Sequence, residues 1–263
     1  MLQHTDMIRL LIFILVLLAC ALWESNQPRK PLSCSKWQRW LNNLGLVGLN
    51  SIILALVMPV AALSAAMWSE QTRFGLLYWL DVPAYLAVPV AIIVLDVIIY
   101  TQHVLFHRIP WLWRMHRMHH ADQDIDVTTG ARFHPLEIIV SMWVKVGAIT
   151  LLGAPALAVV IFEVLLNASA MFNHSNARLP LRADRWLRNV IVTPDMHRVH
   201  HSVIEREMHS NFGFFLSVWD RVFATYIAQP QQGHEQMKIG LNQFQRGREQ
   251  WLDKMLTQPF RER

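Results

Sequence analysis

Long apolar segments alternate with short polar ones along the first two thirds of the chain. Five apolar runs cover residues 7–23, 46–68, 82–106, 136–152 and 155–172. Each run is close to the roughly 17 to 25 residues that a helix needs to cross a hydrocarbon core. After residue 172 the sequence becomes polar and rich in His, Arg and turn residues. The pattern predicts an all-α protein: a multi-pass transmembrane helical bundle of about five crossings, capped by a cytoplasmic His-rich helical region.

Composition supports a bilayer as the solvent of this chain. Of its 263 residues, 53% are hydrophobic and only 16% are charged, and the mean hydropathy is +0.25. These values are unusual for a soluble protein of this size, so buried helices in a large soluble core are the weaker interpretation. No repeat or low-complexity linker divides the sequence, which favours one membrane-embedded domain over residues 1–263.

The placement of basic residues predicts the orientation in the membrane. Arg29, Lys30, Lys36 and Arg39 lie between the first and second runs, and Arg108, Arg114, Arg117 and Arg132 lie between the third and fourth. Because cytoplasmic loops are enriched in Lys and Arg, both loops are expected in the cytoplasm, with the N-terminus outside and the C-terminus inside. The basic tract 178–188 belongs to no known nucleic-acid-binding module, so it indicates charge at a membrane surface and no nucleic-acid partner.

Nine of the thirteen histidines form an ordered series. They are His103, His107, His116, His119, His120, His174, His197, His200 and His201. A spacing of three or four residues places two imidazoles on one face of a helix, where they suit one metal or two neighbouring metals. Adjacent histidines point about 100° apart and can serve different sides of a cluster. The repeated H-x-x-H-H pattern therefore predicts a binuclear metal site.

The predicted topology brings these histidines together. His103 and His107 end the third apolar run, and His174 follows the end of the fifth run at the same side of the membrane. The remaining six lie in the two segments that are expected in the cytoplasm. All nine can therefore converge at one membrane surface.

The ligand type limits the choice of metal ions but does not identify one. An all-imidazole set suits Fe, Zn, Cu or Ni, and nine ordered ligands imply two ions. Iron is favoured because a site against an apolar helix bundle suits the oxidation of a hydrocarbon. A zinc-dependent membrane lipid hydrolase is the alternative, but it would need a polar scissile bond and a general base. A metal transporter or sensor is a third interpretation, for which histidines spread through the bilayer would be expected.

Three ionisable residues inside the apolar runs form a second candidate group, because charges within a membrane usually serve a function. Asp96 lies eleven residues before His107 and Glu163 lies eleven before His174, which places both about 16 Å deeper than these histidines. Lys145 lies ten residues after Pro135, at the start of the fourth run, and so reaches a similar depth below the same membrane surface. We expect Lys145 to pair with Asp96 or Glu163 at the end of a substrate cavity, with a structural clasp between helices as the alternative.

The residues from about His103 to Tyr226 resemble the fatty acid hydroxylase superfamily, which includes sterol desaturases, C4-methylsterol oxidases and sphingolipid hydroxylases. The matching motifs are 103–107, 116–120, the string Arg132-Phe133-His134-Pro135-Leu136-Glu137, 174–176, 193–201, 211–213 and 219–221. The resemblance implies that residues 103–226 form a di-metal hydroxylase or desaturase region at the cytosolic face.

What the resemblance implies extends to chemistry and partners. It implies two iron ions and O2 as co-substrate, with hydroxylation or desaturation of a C–H bond in a lipid such as a sterol or a fatty acyl chain. Electrons would come from a separate donor, a ferredoxin or a cytochrome b5-like protein with its reductase. No catalytic residue beyond the metal ligands is expected.

The resemblance also bears on individual residues. It implies that His134 is a tenth residue of the metal site, either as a metal ligand or as a residue that supports a ligand from its outer side. The basic surface at Arg182, Arg185 and Arg188 is a candidate dock for an acidic electron donor or for anionic lipid headgroups. Ala170 stands where longer hydroxylases carry a further histidine, which weakens any transfer from the fatty acyl 2-hydroxylases in particular.

Overall fold

The computed structural model describes residues 5–58 and 60–262 and is built of helices. In chain order these are α1 (Thr5–Asn26), α2 (Lys36–Val57), α3 (Ala62–Thr72), α4 (Leu76–Trp79), α5 (Ala84–Arg108), α6 (Pro110–His120), α7 (Pro135–Leu152), α8 (Ala156–His174), α9 (Leu181–Leu187), α10 (Pro194–His200), α11 (Glu205–Met208), α12 (Val218–Val222), α13 (Gly233–Gln236) and α14 (Leu252–Met255). Three 3-10 helices cover Val127–Ala131, Gly247–Gln250 and Gln258–Phe260. The described residues contain isolated β-bridges but no strand. The prediction of an all-α protein is confirmed.

Five segments are long and apolar enough to cross a membrane. They are α1, the stretch Lys36–Trp79 that contains α2, α3 and α4, and the helices α5, α7 and α8. The apolar run 46–68 falls on the second half of α2 and the first half of α3. In α1 only 11% of the most apolar window is buried inside the protein, and Leu15 and Leu22 are among its exposed side chains. Such a surface needs hydrocarbon as its solvent, so the chain is a multi-pass membrane protein.

The polar segments gather at one end of the bundle, which we call the capped end. Glu24, near the end of α1, accepts hydrogen bonds from the backbone N–H groups of Val127 and Asn176. Arg39, in the first turn of α2, binds Asp122 in the loop after α6. Residues 27–35, 109–134 and the tail from residue 175 therefore lie on the same side of the bundle, as the sequence pattern requires.

The opposite end is closed by a tight contact between two turns. Gly75 has a φ of 114° and lies so close to Gly153 that an added Cβ would be 2.3 Å from the Gly153 nitrogen. Only glycine fits at such a position. Nearby, Glu70 accepts a hydrogen bond from the free N–H of Ala156 in the first turn of α8. These contacts hold the α7–α8 turn against the segment that follows α3.

The apolar core lies where α3, α5, α7 and α8 meet. Its fully buried members include Ala66, Ala91, Ile149, Val159 and Phe162. Small side chains allow helix backbones to approach closely, which is the main source of packing energy between helices in a membrane. This core fixes the directions of α5 and α8, the two membrane helices whose last turns carry histidines.

Buried ion pairs hold the cap on the bundle. The Arg39 side chain is 1% exposed and donates to both carboxylate oxygens of Asp122, to Asp126 and to the hydroxyl of Thr129. Burial alone would raise the pKa of Asp122, but Arg39 and Arg132 hold it below its ordinary value. The ion pairs and hydrogen bonds of Arg39 therefore hold the loop after α6 in place directly beside the histidines of α6.

Candidate metal centre

The nine histidines of the sequence series converge at the capped end. The last turns of α5 supply His103 and His107, α6 supplies His116, His119 and His120, the last residue of α8 is His174, and α10 with its C-cap supplies His197, His200 and His201. Every one of these side chains is at most 5% exposed. Four helices from distant parts of the sequence therefore direct their imidazoles into one buried space.

The imidazoles fall into two neighbouring groups. The first contains His103, His107, His116, His120 and His200, and the second contains His119, His174, His197 and His201. Within each group, one nitrogen of every ring lies within 4.8 Å of the others. His119 and His120 belong to different groups, and so do His200 and His201. This division is expected because adjacent residues of a helix point about 100° apart. The groups are in contact, with the rings of His120 and His201 stacked at 4.6 Å.

Hydrogen bonds fix which nitrogens face inward in the five-histidine group. The Nδ1–H of His103 donates to the carbonyl of Phe212 at 2.8 Å, and the Nδ1–H of His116 donates to Glu137 Oε1 at 2.6 Å. The two Nε2 atoms, which then carry lone pairs, face each other at 3.1 Å. Two lone pairs at this distance repel unless a cation lies between them. Two nitrogens bound to one metal at roughly 2.1 Å and about 95° apart would have this separation.

The four-histidine group repeats the arrangement. The Nδ1–H of His119 donates to the Arg132 carbonyl at 3.1 Å, and that of His174 donates to the Ala170 carbonyl at 2.7 Å. Their Nε2 atoms again lie 3.1 Å apart, and Nε2 of His197 lies 3.1 Å from that of His174. Each group therefore presents several lone pairs to a common point, which is the geometry of metal ligands whose outer nitrogens are held by carbonyl or carboxylate oxygens.

Unpartnered nitrogens and protonation states support the same assignment. Both ring nitrogens of His107, His120 and His201 are buried without a hydrogen-bond partner among the described residues. Each such atom costs about 1–3 kcal/mol unless something binds it. Burial lowers the pKa of His116 to about 3 and that of His120 well below the ordinary value. Neutral imidazoles are the form that binds metal ions, so the residues present fit two metals.

His134 lies outside both histidine groups, and its part in the metal centre stays a prediction. It is the N-cap of α7, and its Nδ1 accepts the backbone N–H of Leu136 at 3.2 Å. Nε2 therefore carries the proton and donates to the Leu256 carbonyl at 3.2 Å. Both nitrogens are used, which leaves no lone pair for a metal. His134 fastens α7 to the tail of the chain.

The structure brings together two of the three predicted intramembrane charges. Lys145 Nζ lies 2.7 Å from Glu163 Oε1, and Arg9 of α1 lies 2.8 Å from the other oxygen of Glu163. Asp96 lies apart from this group, because its carboxylate accepts the N–H of Leu216 at 3.2 Å and the indole N–H of Trp219 at 2.7 Å. Asp96 thus ties the tail to α5.

A cavity of about 410 Å³ connects the metal centre to this charged group. Its lining includes His103 and His116 near the metal centre and Arg9, Lys145 and Glu163 at another part of the wall. Its other walls are mainly apolar and come chiefly from α1, α2, α5, α7 and α8, with Phe13, Leu54, Ile99, Met142 and Leu166 among them, while Phe214 comes from the segment between α11 and α12. Helix α1 packs on α8 and α2 packs on α7. This volume is within the range of ligand-binding pockets.

Several functional neighbours were not found from the sequence. Glu137 belongs to the string that carries the family resemblance, but only the fold places its carboxylate on His116. The carbonyls of Phe212 and Ser210, which accept from His103 and His200, leave no trace in a sequence because every residue has a carbonyl. Arg9 could have been found from the sequence, because it is the one charged residue in the apolar run 7–23 and charges within a membrane usually serve a function.

Fold and site together define a class: a helical multi-pass membrane protein with two adjacent all-histidine groups, at one end of its bundle, that could hold metal ions. The model of the family described as fatty acid hydroxylase matches residues 88–225, more than half of the chain. The chain belongs to the fatty acid hydroxylase family. The matched segment contains all nine histidines of the two groups.

Characterised relatives oxidise different lipids. Ornithine lipid hydroxylase OlsE of Rhizobium tropici is 26% identical over 173 residues, which cover 66% of this chain and 50% of that protein. Human alkylglycerol monooxygenase is 25% identical over 166 residues, 62% of this chain and 35% of that protein. Human cholesterol 25-hydroxylase is 24% identical over 140 residues, 51% of this chain and 48% of that protein.

The similarity covers only part of each relative. The chain spans about half of the length of these relatives or less, and no solved structure shows significant similarity to it. The named relatives are hydroxylases or a monooxygenase, so they give no support to a zinc-dependent lipid hydrolase.

Proposed function

We propose that this protein is a membrane-bound di-iron oxygenase that hydroxylates a C–H bond of a lipid. The observation that carries the proposal is the pair of histidine groups. Their inward nitrogens face one another or lack a hydrogen-bond partner among the described residues, and the five-histidine group borders a mainly apolar cavity among membrane helices. In the reaction, one oxygen atom of O2 enters the C–H bond and the other leaves as water, with two electrons and two protons consumed. Desaturation remains the alternative outcome, but the names of the relatives favour hydroxylation.

The ligand set favours iron over zinc. The first group offers five histidines, which is one more than the four ligands of a tetrahedral zinc site. Two iron ions bound by the groups would supply O2 activation. The protein's own residues hold the ligands: Glu137 accepts the Nδ1–H of His116, and backbone carbonyls accept those of His103 and His174. Each such bond fixes the ring so that Nε2 faces the metal.

The apolar cavity is the proposed substrate site. Its walls exclude water and match an alkyl chain or a sterol ring system, and it leads to His103 and His116 of the five-histidine group. Glu163 lies eleven residues before His174 on α8, about 16 Å along the helix. We propose that the charged group of Arg9, Lys145 and Glu163 bounds the far end of this cavity and limits how deeply a lipid can enter.

The capped end is proposed to face the cytoplasm, with the start of α1 outside. Basic residues such as Arg29, Arg108 and Arg114 lie at the capped end, whereas the turn before α5 has the exposed pair Arg73 and Asp81. Positive charge is enriched on the cytoplasmic side of membrane proteins. In a Cys34→Ser background, a cysteine placed at Asp81 should react with an impermeant maleimide in intact cells. Labelling only after the membrane is opened would reverse the orientation.

Metal content of the purified protein tests the proposed activity. Protein from iron-replete cells should hold about two irons per chain, as the two groups require. His119→Ala should remove metal from the four-histidine group and abolish lipid oxidation, because it leaves three ligands there. His134→Asn is the matched control: asparagine also caps helices well, and this variant should keep both irons.

Two results would contradict the proposal. Two zinc ions that iron cannot replace would favour the hydrolase, which needs neither O2 nor a reductant. Product formation by a folded His119→Ala variant would show that the four-histidine group is not needed for the reaction. Lipid extracts of host cells with and without the gene would then identify the substrate through an O2-dependent mass increase of one oxygen atom.

A further inference from the structure

A second cavity reaches the metal centre from a different direction. Its volume is about 420 Å³, and the end of α5, the start of α6, residues 203–209 and residues 241–243 line it. We call it the Trp113 cleft. It contains one metal-site histidine, His107, whereas the substrate cavity contains His103 and His116. The rest of its lining combines apolar side chains with the polar or charged residues Arg108, Arg117, Glu205, Asn242 and Gln243.

Trp113 connects this cleft to the histidines. Its side chain is partly exposed and lines the cleft. Its ring lies 5.0 Å from that of His107 and 5.5 Å from that of His120, two members of the five-histidine group. A π-system in contact with two ligand rings and also with the surface is a short route for an electron between a docked protein and the metal centre.

The charge around Trp113 indicates the kind of partner. Arg108 and Arg114 flank the tryptophan, are exposed, and form no ion pair within residues 5–58 and 60–262. Acidic side chains are also present, Glu205 in this cleft and Glu262 in the shallow pocket on the other side of Trp113. Arg117, which is buried, lines both spaces, and Arg261 lines the second, where Glu249 pairs with it. The lining therefore keeps a small excess of positive charge, and its exposed part is carried by Arg108 and Arg114. A positive field around a cleft attracts an acidic protein and accelerates its association.

We propose that the Trp113 cleft is the docking site of an acidic one-electron carrier protein, and that Trp113 passes the electron to the metal centre. The proposal rests on the function proposed above. At each encounter the carrier's iron–sulfur cluster or haem loses one electron and the metal centre gains it. Two encounters supply the two electrons that hydroxylation consumes.

The arginines of α9 are less suited to this role. Arg188 is 5% exposed and is bound to Asp184 and to the Ala228 carbonyl, so the structure removes it from the predicted basic surface. Arg182 and Arg185 are exposed, but α9 contributes no residue to either histidine group. These two residues therefore provide a matched control, because they carry the same charge, are also exposed, and belong to a helix that adds nothing to the histidine groups.

The test uses the full-length protein in nanodiscs and a soluble acidic [2Fe–2S] ferredoxin as probe. At low salt, the double variant Arg108→Glu/Arg114→Glu should weaken ferredoxin binding roughly tenfold, because two attractive charges become repulsive. Arg182→Glu/Arg185→Glu should leave binding unchanged. Trp113→Leu should retain binding and iron but slow electron transfer from reduced ferredoxin roughly tenfold in stopped-flow absorbance, while reduction by dithionite continues.

Each contrary result has a distinct meaning. The docking site would be overturned if the wild-type protein does not bind the ferredoxin, or if only the α9 variant loses binding. It would also be overturned if the Arg108 and Arg114 variant loses affinity only for anionic lipid vesicles, since the cleft would then hold headgroups. Binding is measured with metal-free protein as well, so a failure of the iron centre does not affect this result.

Discussion

Two cavities of almost equal size meet the same metal centre, at about 410 and 420 Å³. The first lies among the membrane helices, has mainly apolar walls, and reaches His103 and His116. The Trp113 cleft has arginines and amides in its wall and reaches His107. Volume therefore says little about the role of either one. We assign lipid to the first cavity because membrane helices form it, and a charged partner to the Trp113 cleft because the exposed side chains of Arg108 and Arg114 lie beside Trp113.

The comparison also explains why the two routes can remain separate. Lipid and electron carrier never need to occupy the same space, because different members of the five-histidine group border the two cavities. A water-soluble carrier stays on the capped side, and an apolar substrate stays among the helices. Variants in one cavity should therefore spare the function of the other, and the following predictions test that independence.

The largest effect in these two cavities is expected from Glu137, which lines the substrate cavity and holds the Nδ1–H of His116 at 2.6 Å. Glu137→Ala removes the acceptor that orients this ligand. Loss of such a partner typically lowers metal affinity or activity by about 10- to 100-fold. Competition with a coloured chelator measures the affinity. Unchanged iron affinity and turnover would show that the His116 ring needs no such support.

A smaller effect is expected from filling the substrate cavity. Leu54 of α2 lines it, so Leu54→Trp should lower lipid turnover by about tenfold, equivalent to roughly 1.4 kcal/mol, through the loss of substrate space. Leu56→Trp is the control, because this side chain is 79% exposed on the same helix. Ferredoxin binding should be equal in both variants. If Leu54→Trp impairs ferredoxin binding as much as turnover, the two cavities are not independent.

Sequence patterns predicted the bundle and the histidines for a physical reason. Hydrophobic runs reflect the bilayer directly, and a spacing of three or four residues reflects the helix. These two rules suffice to place His103 beside His107 and to separate His119 from His120. They cannot identify partners between distant helices, which is why the outer acceptors Glu137 and Phe212 were not found.

Two of the predicted site residues have surroundings that the sequence did not indicate, and the reason is the same for both. Asp96 and Glu163 have similar depths in the membrane, but depth does not determine the direction in which a side chain points. The carboxylate of Asp96 accepts a hydrogen bond from the indole N–H of the tail residue Trp219. His134 matches a family motif, yet its nitrogens are used in a helix cap and a contact with the tail. In both cases a long-range contact from the polar tail decides the role, and periodicity has no information about such contacts.

The smallest effect is expected at the charged end of the substrate cavity. Lys145→Met leaves Glu163 with its second partner, Arg9 at 2.8 Å, so the loss of stability should be about 1–2 kcal/mol, less than a fully orphaned buried charge would cost. If the group limits substrate depth, the variant should also accept longer lipids, read as a changed product distribution by mass spectrometry.

Asp81→Asn is the control for this last prediction. It breaks the exposed pair with Arg73, whose side chains are 66% and 83% exposed. Such pairs contribute at most about 1 kcal/mol, and this one lies outside the substrate cavity. Lost stability with an unaltered product distribution in Lys145→Met would make the group a clasp among α1, α7 and α8. The far limit of the substrate cavity would then have to come from its apolar walls alone.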